Sequence, residues 1–469
     1  MPKLSLLTWL IIALMVVLFV PAIFTKGMFV DGLTYATLAR NWVEGRGTFW
    51  FLHYTNSLLA EFHSHPPFGM LGLAAGYWIF GDTDYVEIGY SILTAILVAW
   101  GMYKIGTLYH QLLGEIAIIL WLLIPLVGWA FRSNMLENAM TVFTTWAVYL
   151  LLKKETGYNA GSVIPCLPIM AGILLCLGFL TKGPTALFPF CLPILYGILF
   201  KTEIKAVLCS FLGQIGAFFS AFFLLFFSSK DAQKSIVTYL DNAIHNAQNH
   251  TVARHTYILE ELFVQLLPVL GMVGLILGLA FYRQKKNLFK DPFLLKVSLF
   301  FTLLGCSGVF PIMISNKQSG YYMLAALPFW ALGIGAFILP FIEKRIFIWE
   351  EKYRNPAAYL AIFVIIGTFF ISILEKDEWG RDKEMREDLA KVSQFVPEHS
   401  NIYILPSEHE NWLLYAYFAR FGDRSLVPYM RLEADFYLLK KGGNMQDDDF
   451  EEIVTGLHYG TLWKRISRR

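Results

Sequence analysis

Charged residues are scarce in this 469-residue chain, with Asp, Glu, Lys and Arg making up 16% of it against roughly a quarter in a soluble domain. That shortage excludes an ordinary water-exposed fold for most of the sequence. A dominant charge sign is lacking too: 38 basic and 36 acidic residues leave a formal +2, so no overall field points to nucleic acid. Cysteine is limited to Cys166, Cys176, Cys191, Cys209 and Cys306. All lie in apolar stretches without metal-binding spacing, which argues against disulfides and against a thiolate-held metal. No strand, turn and helix pattern of a nucleotide-binding fold is visible, and no clear internal repeat.

What the chain has instead is apolar sequence, 56% of its residues. Runs near the roughly 20 residues needed to cross a hydrocarbon core recur as far as residue 374. They predict an all-α polytopic membrane protein with about 11 transmembrane helices, 11 to 13 as a range. The expected spans are approximately 8–23, 88–109, 115–131, 138–152, 163–179, 185–200, 206–227, 262–282, 294–314, 321–341 and 356–374. The first follows Lys3 but precedes no small-residue cleavage site, so it reads as a retained helix. Residues 67–80 are apolar but short, open with Pro66-Pro67 and carry glycines, which suits an interfacial or re-entrant segment.

Basic residues orient the chain. With the N-terminus in the cytoplasm, the inner loops hold Lys153 and Lys154, Lys201 and Lys205, Arg283, Lys285, Lys286 and Lys290, then Lys344, Arg345, Lys352 and Arg354. The opposing loop 24–87 has only Lys26, Arg40 and Arg46. The outer face then receives 24–87, 132–137, 180–184, 228–261 and 315–320. Beyond residue 374 the composition turns charged, and short apolar runs such as 401–405 alternate with helical patterns such as 412–421. The expected organisation is a transmembrane domain over 1–374, with a first loop 24–87 and a large loop 228–261, followed by a small extracytoplasmic α/β domain over 375–469.

Ionisable groups beside a bilayer are costly, and those gathered on one side are site candidates. Asp31, just after the first span, can take a proton from an attacking hydroxyl; the bland alternative is a helix N-cap. Glu137, in the short loop before an apolar helix, can orient an acceptor, hold a cation or share the base role, or simply complement the helix dipole beside Arg132. Lys182, a lone cation in Gly178-Phe179-Leu180-Thr181-Lys182-Gly183-Pro184, needs a partner that a lipid phosphate would supply, unless it snorkels to headgroups. His63 and His65 stand before Pro66-Pro67 at a spacing that is not diagnostic of zinc. His65 is the better phosphate candidate and His63 the more structural residue. Weaker substrate contacts are His245, His250, Arg254, His255, Lys317, Tyr321 and Tyr322. Asp82-Thr83-Asp84 reads as a turn, Asn249-His250-Thr251 as a glycosylation pattern relevant only in a secretory pathway, and Asp447-Asp448-Asp449 as a solvated loop.

Asp31 with Tyr35, His65-Pro66-Pro67, Arg132 to Glu137, and Phe179-Leu180-Thr181-Lys182-Gly183-Pro184 together resemble the membrane glycosyltransferases of the GT-C fold. The branch is that of protein O-mannosyltransferases and the aminoarabinose transferases of lipid A. The likeness covers about residues 1 to 340, and its last segment is the most specific. It implies a sugar donor carried on polyprenyl phosphate, a lipid, glycan or protein acceptor, and an integral plasma membrane location, the inner membrane of a bacterium, with the active site outside. By the same likeness Asp31 corresponds to the first-loop acid taken as catalytic, Glu137 to the acid of the second outer loop and Lys182 to a donor-phosphate contact; beside them Glu137 is read as a second catalytic acid, His65 and Arg132 as further donor-phosphate contacts and Tyr35 as a substrate contact. Family members commonly carry two adjacent acids where this chain has Asp31-Gly32, which argues against a two-carboxylate metal site; a divalent cation is compatible but not required. They also carry lysine at the position of His65. A transporter, a lipid-linked oligosaccharide ligase or polymerase, and a non-catalytic sensor are the competing readings. The absence of repeats and the paucity of arginine in 228–261 weigh against the first two.

Overall fold

The computed structural model describes residues 4–25, 27–157, 166–249, 254–283, 291–376, 380–429, 434–443 and 449–466. In chain order the helices are α1 (Leu6–Phe24), α2 (Val30–Val43), α3 (Leu71–Phe80), α4 (Tyr85–Thr107), α5 (Leu113–Leu122), α6 (Pro125–Arg132), α7 (Leu136–Glu155), α8 (Leu167–Lys182), α9 (Leu192–Phe200), α10 (Ile204–Phe226), α11 (Lys230–Asn249), α12 (Tyr257–Arg283), α13 (Pro292–Val309), α14 (Leu327–Leu374), α15 (Lys383–Val392) and α16 (Trp412–Arg420). The chain divides into two compact units. The first comprises Met1–Phe24, Ser64–Gly69 and Ile88–Leu374, the second Thr25–His63, Met70–Glu87 and Glu375–Arg469.

In the first unit, six helices among the described residues are long and apolar enough to cross a membrane, and the bent pair α5 and α6 makes a seventh. The count of eleven spans is therefore not confirmed by helix length and composition, and prolines explain much of the difference. The expected span 115–131 breaks by 74° ahead of Pro125, where Ile124 is extended, as residues before proline prefer. The expected span 185–200 opens with two 3-10 turns, Pro184–Ala186 and Phe188–Cys191, because proline lacks the N–H that an α-helix needs. The spans expected at 321–341 and 356–374 belong to one unbroken helix of 48 residues, α14, preceded by a 3-10 turn over Gly320–Ala326.

Straight, α14 would be about 72 Å long, more than twice a hydrocarbon core. Contacts show that it doubles back. Leu6 donates its backbone N–H to Glu350, and Phe24 meets Phe369, so this section runs parallel to α1. Tyr321, just ahead of α14, stacks on Trp129, while Phe131 packs on Phe19 near the end of α1. Both ends of α14 thus share one end of the bundle, with Glu343 to Glu350 at the other, and Pro340 and Pro356 bracket the turn. Close helix approach relies on small residues: a Cβ on Gly172 of α8 would lie 2.1 Å from the Gln214 carbonyl of α10. Outward faces are apolar, with Phe219, Phe223 and Leu224 of α10 and Phe363, Ile366 and Phe370 of α14 all exposed. Such surfaces suit lipid, and the first unit is an integral membrane body.

The second unit contains a five-stranded mixed sheet in the order β2-β1-β3-β5-β4, formed by β1 (Asn401–Tyr403), β2 (Ser425–Val427), β3 (Phe436–Lys440), β4 (Phe450–Val454) and β5 (Gly460–Arg465). β1 is parallel to β2 and β3, and β5 is antiparallel to β3 and β4. The strand and helix patterns read at 401–405 and 412–421 appear as β1 and α16. Residues 25–63 and 70–87 join this unit, and α16, buried from Leu414 to Arg420, packs on α2. α3 has only 10 residues, too few to span a bilayer, and ends in exposed Trp78, Ile79 and Phe80.

Candidate active site

Three short segments of the first unit meet around one ammonium. α8 stops at Lys182 because Gly183 takes φ +107°, a conformation that side chains disfavour. A Cβ there would also lie 2.1 Å from the Tyr239 hydroxyl of α11. α7 begins beyond Asn134, which turns the chain at φ +48°, and Glu137 consequently falls in its first turn. Residues 64–69 reach the same corner, where a Cβ on Gly69 would meet Leu136 at 2.7 Å and the Thr181 carbonyl at 3.1 Å.

Lys182 Nζ lies 3.1 Å from Glu137 Oε1 and 3.2 Å from His65 Nε2. The Lys182 and Glu137 side chains are 4% and 0% exposed, so solvent ions barely screen them. Helix dipoles favour this polarity, with the carboxylate at the N-terminus of α7 and the ammonium at the C-terminus of α8. An ammonium can only donate, so His65 Nε2 accepts, and the ring is a neutral imidazole with its proton on Nδ1. Burial, then the Lys182 and Lys317 charges, hold His65 well below its ordinary pKa. Tyr321 and Tyr322 turn ring faces toward Nζ at 5.8 and 6.0 Å. A desolvated ammonium held in this way is suited to meet an oxyanion.

Most of the other predicted residues fall elsewhere, Lys317 excepted, whose charge acts on His65. Asp31 is the second residue of α2 in the second unit; the N-cap position belongs to Phe29, which caps with no side chain, so the N-cap reading of Asp31 does not hold. Asp31 is half-buried near Tyr54, whose phenol is pushed up by burial, lowered in part by the Thr34 hydrogen bond, and raised further by the Asp31 charge. Tyr35 is buried in α2, and His63 packs edge-on against Phe51 with Nε2 3.6 Å from Glu61. In the first unit, Arg132 and Arg254 are exposed, and Lys317 bonds through its backbone to Ser315. His250 lies outside the described residues, as do Lys285, Lys286 and Lys290. Glu137 takes Lys182, rather than Arg132, as its close cation. Among the described residues, no three His, Cys, Asp or Glu side chains gather to hold a metal ion.

A second cluster, in the second unit, was not foreseen. Arg40 of α2 bonds the Ala419 and Arg420 carbonyls and lies 2.8 Å from Asp423. Arg420 contacts Glu87 and lies 2.8 Å from Asp82. Arg40, Arg420, Asp82 and Asp423 border an open cavity of about 980 Å³ whose walls include Arg46, Arg386 and His399. Asp82, read from sequence as part of a turn, is an ion-pair partner. An arginine inside the aromatic helix 412–421 was the available signal.

The chain has the GT-C fold of membrane glycosyltransferases. ArnT from Cupriavidus metallidurans, bound to undecaprenyl phosphate, is similar with a TM-score of 0.66 at 13% identity, over 90% of this chain and 86% of that one. AglB, the archaeal oligosaccharyltransferase from Archaeoglobus fulgidus in complex with an inhibitory peptide and a dolichol-phosphate, is similar with a TM-score of 0.52 at 12% identity, over 93% and 69% of the two chains. Residues 64–229 match the dolichyl-phosphate-mannose-protein mannosyltransferase family. No curated protein matches the sequence.

Proposed function

We propose that this chain is a glycosyltransferase that moves a sugar from a polyprenyl-phosphate donor to an acceptor hydroxyl or phosphate on the extracytoplasmic face of the membrane. The observation that carries this reading is the buried Lys182 held between Glu137 and His65. The acceptor oxygen attacks the anomeric carbon, the carbon–oxygen bond to phosphate breaks, and the phosphate leaves with the bonding electrons. Lys182 stabilises the charge that develops on the phosphate, and it does so strongly because the corner is dry. Glu137 holds the ammonium in place. Asp31 takes the acceptor proton as general base. Support for a lipid-phosphate donor comes from ArnT and AglB, each named with a lipid phosphate bound.

Purified protein supplied with polyprenyl-phosphate sugars and membrane extracts should consume donor. Asp31→Asn should slow that consumption roughly 10²–10⁴-fold, as loss of a positioned base does. Unchanged consumption in the variant would remove Asp31 from the base role.

A further inference from the structure

Transfer changes the charge that this corner must hold. Before the reaction a polyprenyl-phosphate sugar is a phosphodiester with one negative charge. After the glycosidic bond breaks, the lipid is a phosphomonoester, and with a second pKa of ~6 it carries a further charge at neutral pH. Lys182 and Glu137 cancel one another before and after. The group in contact with Lys182 that can change its own charge near neutrality is His65, a neutral acceptor from the ammonium.

We infer that His65 is a proton-coupled product sensor: it stays neutral against the donor phosphodiester and takes up a proton when the lipid monophosphate occupies the site. This rests on the donor reading above and extends it to the charge balance of product release. The proton comes from solvent. On protonation Nε2 becomes a donor and can no longer accept from Lys182, so both groups present N–H donors to the phosphate. The groups facing His65 are the Lys182 ammonium at the end of α8, the Glu137 carboxylate on α7 behind it, Lys317 ahead of the 3-10 turn, and the phenols of Tyr321 and Tyr322 on that turn. Burial first, then the two cations against one carboxylate, keep the imidazole neutral, and a dianion reverses the balance. Release is then favoured as the proton is lost, so product holds more tightly at low pH and escapes at high pH.

Calorimetry of undecaprenyl phosphate binding to the full chain in detergent, in buffers of different ionisation enthalpy, reads proton uptake directly. Wild type should take up a substantial fraction of one proton near pH 7. Its affinity should fall by up to about tenfold per pH unit above that, the limit for one coupled proton. A non-hydrolysable phosphodiester analogue should bind without uptake. His65→Gln, whose amide can still accept from Lys182, should bind both lipids with no uptake and a flat profile. Monophosphate binding to wild type without uptake, or equal uptake in His65→Gln, would overturn the sensor while leaving the donor reading intact. Failure of wild type to bind either lipid would overturn the donor reading and this inference with it.

Discussion

Each unit buries a cluster of charge, and the two clusters are built differently. In the second unit, the guanidinium donors of Arg40 and Arg420 go to the Ala419, Arg420 and Thr83 carbonyls and to the carboxylates of Asp423, Glu87 and Asp82. Planar five-donor groups locked onto backbone oxygens act as staples between segments distant in sequence. In the first unit, Lys182 meets a carboxylate, a neutral imidazole and two phenol faces, all side chains that can yield to an incoming anion. Burial alone therefore does not mark a reactive group. What distinguishes the Lys182 corner is that side chains able to move aside or change protonation hold its charge, where backbone oxygens help to fix the two guanidiniums.

The sharpest way to break this comparison is to remove one cation from each cluster. Arg420→Met strands Glu87, only 1% exposed, and should destabilise the second unit by about 3–5 kcal/mol, the usual cost of uncovering a buried partner. Thermal unfolding of the full chain in detergent, with limited proteolysis of its C-terminal part, checks this. An unchanged profile would deny the staple role. Lys182→Met likewise strands Glu137, 0% exposed, at a comparable cost in stability, yet its remaining folded protein should transfer sugar about 10²–10³ more slowly, equivalent to about 2.7–4 kcal/mol of transition-state stabilisation. Folded Lys182→Met protein with wild-type turnover, or folded Arg420→Met protein with an equal loss of turnover, would erase the distinction between the two clusters.

The two clusters also differ in how far the sequence reveals them. Lys182 stands out as a lone cation between apolar runs beside Gly183-Pro184, and Glu137 as an acid opening an apolar helix; burial makes such residues conspicuous where lipid is the solvent. Their pairing with each other and with His65 depends on how three segments more than 40 residues apart pack, which local patterns do not encode. Arg40 and Arg420 were obscure for the opposite reason. Arg40 sits among polar residues and Arg420 in a short aromatic helix of the charged C-terminal part, where a charge has a cheap solvated explanation, and their partners lie 333 to 383 positions away. Helix boundaries were least legible where proline divided an apolar run, as at Pro125 and Pro184, and where charged residues 343–354 continued as helix instead of forming a loop.

A smaller effect tests whether the corner requires its backbone turn. At Gly183, Ala would meet both the positive φ and the Tyr239 hydroxyl. The strain should be of order 1–3 kcal/mol, displacing α11 or the end of α8. Transfer should drop more than thermal stability does, because Lys182 is the adjoining residue. A variant that loses stability while its remaining folded fraction keeps wild-type turnover would show that the turn matters only for folding.

The smallest effect concerns pH and belongs to the stapled side. Burial alone would raise the Asp423 carboxyl, but the Arg46 hydrogen bond, with the Arg40, Arg46 and His399 charges, outweighs it and holds Asp423 below the ordinary carboxylate range. A depressed folded-state pKa means that the carboxylate's stabilisation is fully present above its unfolded value of about 3.9 and is lost as pH falls through the lower folded value. Between about pH 7 and 5 this group should therefore contribute no pH dependence, and below about pH 4 the second unit should weaken as protonation releases Arg40 and Arg46. Asp423→Asn should melt lower than wild type at neutral pH, with the gap narrowing in acid. A gap that widened on acidification would reverse the sign and show that Asp423 is buried at a cost its arginines do not offset.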